Sequence, residues 1–155
     1  MKSFISIVII GLLTVTSFAA DVIVDLTGHK NAAALITMEK TDNLIVQLDE
    51  NPTTGYSWTV PQAKITDLVP MFSLKNAQFA RAGDSELQGT AGVKSLTFGS
   101  NYVATGHLII AHAKIWELEQ VTNPVGHVDL DKAHLMGFDV TLLTLNVKST
   151  AVATE

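Results

Sequence analysis

The sequence predicts an all-β fold, an antiparallel β-sandwich. Apolar residues alternate with period two through several short segments, turn-forming residues separate those segments, and no helical pattern runs longer than a couple of turns. Val22, Val24 and Leu26 alternate with Ile23 and Asp25, and Leu44, Val46 and Leu48 alternate with Ile45, Gln47 and Asp49, the pattern of strands with one buried face. Val93 to Phe98 puts Leu96 and Phe98 on one side. His107 to Ile115 is apolar on both sides around Leu108, Ile109 and Ile110, as a central strand would be. Phe138, Val140 and Leu142 alternate, and then the phase slips to Leu143, Leu145 and Val147. A one-residue slip flips the buried face, so a bulge is expected near Leu142. Asp129 to Met136, followed by Gly137, predicts one short helix with a glycine stop. Ser149 to Glu155 reads as a small, frayed polar tail.

A chain of 155 residues suits a single domain. Its first 19 residues read as a signal peptide. Lys2 supplies the positive charge, Phe4 to Leu13 is an almost unbroken apolar run, and Ser17-Phe18-Ala19 meets the small-x-small rule, so cleavage is expected after Ala19. Cleavage after Ala20 would put bulky Phe18 where a small residue is wanted. The run is too short for a stable transmembrane anchor. The mature domain is then 20–155, routed to the secretory pathway. Its destination is the exterior, the lumen of a lysosome-like compartment, or the periplasm in a bacterium.

The formal net charge of −5 argues against nucleic acid or an anionic membrane surface as partner, since both reward a basic patch. The absence of cysteine removes any thiol nucleophile, thiolate metal site or disulfide. Asn51 is followed by Pro52, so it is no glycosylation sequon. His127, Asp129, Asp131 and His134 share one loop, but their spacing matches no metal-site pattern, and no local signature marks a catalytic site. No cofactor is expected.

Three stretches interrupt the strands: Asn51 to Gly55, Ala82 to Gly92, and Trp116 to Gly137. In a sandwich, loops gather at the two ends, so three of them can form one edge. In the first, Pro52 fixes φ, Asn51 is able to accept a hydrogen bond from the backbone two residues on, and Gly55 permits a positive φ. The result is a stiff turn whose tip carries Thr53 and Thr54, with hydroxyls and methyls for a partner; Tyr56 and Trp58 read as its anchors to the sandwich. Gly89-Thr90-Ala91-Gly92 is faintly like a phosphate loop, but Val93 occupies the position where that motif needs glycine before lysine, and a strand follows rather than a helix. It reads better as a thin loop whose backbone can approach another surface. Lys114-Ile115-Trp116-Glu117 ends the most apolar strand, and a tryptophan there is either an interface anchor or a core cap.

Taken together, these features resemble the chagasin family of cysteine protease inhibitors. Asn51-Pro52-Thr53-Thr54-Gly55-Tyr56-Ser57-Trp58 is similar to that family's Asn-Pro-Thr-Thr-Gly-aromatic-x-Trp motif, and a glycine-rich loop and a basic-x-Trp motif follow in the family's order. Two departures stand out. Ala91 occupies the third position of the usual Gly-x-Gly-Gly, and Lys114-Ile115-Trp116 replaces Arg-Pro-Trp, keeping the charge but not the bidentate fork. The resemblance implies an immunoglobulin-like β-sandwich and a non-enzymatic, reversible, noncovalent, competitive inhibitor of papain-like cysteine proteases, cathepsin L-like or similar. The implied protease-binding residues are Asn51, Pro52, Thr53, Thr54, Gly55, Gly89, Thr90, Ala91, Gly92, Lys114 and Trp116. A noncatalytic adhesion or ligand-binding module on the same sandwich is the alternative. It would use the long connection after Trp116 and leave the 51–58 turn as structure.

Overall fold

The computed structural model describes residues 19–29, 35–83 and 90–153. The expected leader, apart from Ala19, lies outside the described residues. Eight strands are present among them: β1 (Asp21–Asp25), β2 (Ile36–Glu39), β3 (Asn43–Glu50), β4 (Ser57–Thr59), β5 (Phe72–Arg81), β6 (Gly92–Ser100), β7 (Thr105–Ala113) and β8 (Thr141–Thr150). They form two sheets, ordered β1-β3-β6-β5 and β2-β8-β7-β4, packed as an immunoglobulin-like sandwich. The central ladders are antiparallel. Parallel pairing occurs at one edge of each sheet, where β1 runs with β3 and β2 with β8.

The period-two pattern becomes the core. Leu44, Val46 and Leu48 of β3, Leu96 and Phe98 of β6, Leu108 and Ile110 of β7, and Leu145 and Val147 of β8 meet between the sheets. Gly92 opens β6 where backbone and ring crowd it. A Cβ there would lie 2.2 Å from the Ala80 carbonyl oxygen and 2.7 Å from the Phe79 ring. Glycine is thus required by a close approach within the sheet.

Four expectations are corrected. β7 stops at Ala113, and Ile115–Val121 is a helix, α1, with Lys114 at its N-cap; the apolar run past Ala113 belongs to that helix. There is no bulge near Leu142: the β7–β8 register runs unbroken from Thr141 to Lys148. The apparent slip arises because sheet β2-β8-β7-β4 is covered on both faces at the end next to α1. Leu145 and Val147 face the main core, while Leu142 and Val140 pack on the outer face with Ala111, Ala113 and Leu118. Phe138 precedes the strand, its N–H donating to the Ala133 carbonyl at a helix end. The terminal strand reaches Thr150, with Ser149 buried, so the polar tail is shorter than expected.

The expected short helix is present as α2 (Leu130–Leu135). Asp129 caps it by accepting from the Lys132 N–H, and Gly137 follows at φ 73°. The connection from Trp116 to Gly137 therefore holds two helices packed on each other, with Leu118 of α1 seated on the outer face of a sheet. β5 was not foreseen. It is an edge strand with Phe72 buried and most of its other residues exposed, so it carries no alternation to read.

Truncating Leu118 tests whether α1 is a packed layer. Leu118→Ala is expected to destabilise the domain by about 2–5 kcal/mol, measured by urea unfolding. A change under about 0.5 kcal/mol would mean the helical cover contributes no core.

Candidate functional site

Strand register brings the strand ends that flank the interrupting segments to one end of the sandwich. In the first sheet Glu50, the last residue of β3, pairs with Gly92, the first of β6, which also pairs with Arg81 at the end of β5. In the second sheet Ser57 of β4 pairs with Ala113, the last residue of β7. The segment 51–56 crosses between the sheets at this end, and α1 starts beside it.

Asn51 organises the turn. Its side-chain oxygen accepts from the Thr53 N–H at 3.2 Å and from the Thr53 hydroxyl at 2.7 Å. Its carbonyl accepts from the Thr54 hydroxyl at 2.8 Å, and the Thr54 Oγ1 accepts in turn from the Tyr56 N–H. Pro52–Thr54 forms one 3-10 turn, which Gly55 ends in the left-handed region at φ 81°. Both threonine hydroxyl protons are spent inside the turn. What Thr53 and Thr54 present outward is therefore methyls and oxygen lone pairs rather than free donors.

The base of the turn is pinned from below. Glu50 is 5 % exposed and continues the inward phase of Leu44, Val46 and Leu48. Its Oε2 accepts from the Trp58 N–H at 2.8 Å and from the Ser57 hydroxyl at 3.1 Å. Its Oε1 lies 3.7 Å from Lys94 Nζ. The Trp58 indole N–H donates to the Asp49 carbonyl at 2.9 Å. His112 of β7 lies against both anchors, stacked on Tyr56 with ring centroids 5.5 Å apart and tilted against Trp58 at 4.7 Å. Tyr56 and Trp58 thus serve as the expected anchors.

Trp116 sits in the first turn of α1 and is 59 % exposed. A Cβ added to Gly55 would lie 3.8 Å from its ring, so the tip of the first turn and this indole form one continuous surface. Lys114 is half-buried and turned toward its own molecule. Its Nζ lies 3.3 Å from Glu117 Oε1 and 5.3 Å from the Tyr56 ring centre. Ala91 is exposed at the mouth of the β5–β6 hairpin, Thr90 is half-buried, Gly92 is buried, and Gly89 lies outside the described residues. Sequence reading missed Glu50, Lys94 and His112. The phase of β3 held the signal for the first, a carboxylate at an inward position.

The family model for chagasin family peptidase inhibitors, I42, matches residues 37–125, from β2 through the turn, the β5–β6 hairpin and Trp116. This chain belongs to the chagasin family of peptidase inhibitors. As a chagasin-family inhibitor it is not an enzyme. Among solved structures it resembles the cysteine protease inhibitor EhICP2 from Entamoeba histolytica, at 22 % identity, TM-score 0.52, and coverage of 83 % of this chain and 96 % of that one. It also resembles amebosin, solved in solution, at 19 % identity, TM-score 0.53, and coverage of 86 % and 100 %. These likenesses are of fold. No curated protein matches the sequence.

Trp116→Ala is expected to change folding stability by no more than about 0.5 kcal/mol, because the ring is mostly in solvent. A loss of about 3–5 kcal/mol in thermal or urea unfolding would instead make it a core residue.

Proposed function

We propose that this chagasin-family protein is a reversible, noncovalent, competitive inhibitor of papain-like cysteine proteases, cathepsin L-like or similar, and that it occludes the active-site cleft with three loops. The observation that carries the reading is the apposition of Gly55 and Trp116, which joins a proline-set turn and an exposed indole in one edge. The likeness to EhICP2, itself a cysteine protease inhibitor, supports the target class.

Thr53, Thr54 and Gly55 would lie over the catalytic pair of the enzyme, Trp116 would pack on the wall of the cleft, and the loop ending at Thr90 and Ala91 would enter beside them. Asn51, Pro52, Gly92 and Lys114 act from behind, by shaping and holding these contacts. An edge whose hydrogen bonds are already made loses little entropy on binding. A nucleophile facing this turn meets methyls and backbone locked in a 3-10 turn, not a scissile carbonyl in attack geometry. An interface of about 1,600 Å² in total suits such an inhibitor. Export by the leader-like N-terminus would deliver it to a secretory, lysosome-like or periplasmic space.

The test is hydrolysis of a small fluorogenic peptide by papain in the presence of the mature domain. Inhibitor is expected to raise the apparent KM at constant maximal rate and to be recovered intact. Trp116→Ala is expected to raise Ki by about 30-fold, the effect of a central anchor worth about 2 kcal/mol. Absence of inhibition of both papain and cathepsin L at micromolar protein would overturn the reading.

A further inference from the structure

We propose that Glu50 is the positioning residue of the binding edge: its buried carboxylate closes the Asn51–Tyr56 turn and, through Lys94, couples that turn to the strand carrying the glycine-rich loop. The inference rests on the inhibitor reading. It adds that two of the contact loops are held in register by one ion pair behind them.

The need follows from topology. β3 and β4 lie in different sheets, so the turn between them crosses the sandwich. An ordinary hairpin turn is closed by the ladder bonds of its flanking strands. Strands in different sheets do not share a ladder, and the bonds within Asn51–Tyr56 fix the turn's shape but not its attitude to the domain. Glu50 supplies the missing cross-link. Its Oε2 reaches across the base of the turn to the Ser57 hydroxyl and the Trp58 N–H, seven and eight residues on. The Trp58 indole bond to the Asp49 carbonyl is a second tie at the same level.

The other carboxylate oxygen faces Lys94 at 3.7 Å, with side-chain exposures of 18 % for Lys94 and 4 % for Glu50. Leu48 pairs with Lys94 and Glu50 with Gly92, so Glu50 and Lys94 are diagonal neighbours on the inner face. Lys94 stands two residues past Gly92, where the β5–β6 hairpin opens toward Thr90 and Ala91. Screened from solvent, this pair resists salt better than a surface pair. The two oxygens divide the work: one closes the first turn, the other links it to the second loop.

The experiment compares Glu50→Gln, Lys94→Met and the double variant, by Ki against papain and by amide hydrogen exchange of the free protein. Glu50→Gln keeps an acceptor for the turn and loses the charge. Lys94→Met keeps the stem and leaves the Glu50 carboxylate as an acceptor for the Trp58 N–H but no longer held by the ammonium, so the coupling stays testable if Glu50→Gln folds poorly. Each single variant is expected to raise Ki about five- to tenfold and to speed exchange at the Trp58 amide. The double variant is expected to be no weaker than the worse single one. Met38→Ala, a core truncation at the far end of the sandwich, is expected to lower stability with Ki unchanged.

Lys94→Met with unaltered Ki and unaltered Trp58 exchange would overturn the proposal. So would a Ki change without any exchange change, which would make Lys94 a direct protease contact. Failure of the wild-type protein to inhibit defeats the inhibitor reading alone, because the exchange measurement on free protein tests the Glu50–Lys94 coupling independently.

Discussion

The proposed binding edge depends on how one turn crosses from sheet to sheet without a ladder to close it. β3 ends in one sheet, β4 begins in the other, and six residues lie between them. The crossing is held by side chains that sequence alternation sends inward. Glu50 occupies a core-phase position at the rim, where a hydrophobic residue would bury more surface but make no bond to the Trp58 N–H. Removing a buried backbone donor from water without a partner is unfavourable by about 1–3 kcal/mol, so a carboxylate that satisfies it and pairs with Lys94 suits the rim better than another leucine.

The aromatic layer behind the turn extends the same logic to the third element. Tyr56, His112 and Trp58 pack ring against ring at the end of the second sheet, and Lys114 lies over Tyr56 while bonding Glu117 of α1. The basic residue before the tryptophan therefore braces the turn and the helix against each other. Its charge is engaged within the molecule, by the Glu117 carboxylate and the face of the Tyr56 ring. Trp116 is left free to face outward because Leu118 and Val121, on the other side of α1, anchor that helix.

The two helices also explain why the second sheet reads ambiguously in sequence. Ala111 and Ala113 are small because α1 lies over them, and Leu142 is apolar for the same reason, while Leu145 and Val147 serve the inner core. A strand buried on both faces loses its alternation, and a simple periodicity reading then reports a slip where the backbone is continuous.

Sequence alone determined what depends on neighbours along the chain. The alternation of β3 and β6, the asparagine–proline–glycine chemistry of the 51–55 turn, and the Asp129 cap and Gly137 stop of α2 are each set within a few residues, and each was legible. The motif order also disclosed the family. Tertiary structure alone decided the rest, because it depends on which strands pair and in which register. That pairing set Gly55 against Trp116, placed Lys94 under Glu50, and turned the apolar residues after Ala113 into a helix rather than more strand. The same contrast applies to the segment that looked most like a binding loop. Local chemistry made Asn51–Gly55 stiff, but its direction relative to the domain comes from a carboxylate, an indole and a lysine that meet only when both sheets have formed.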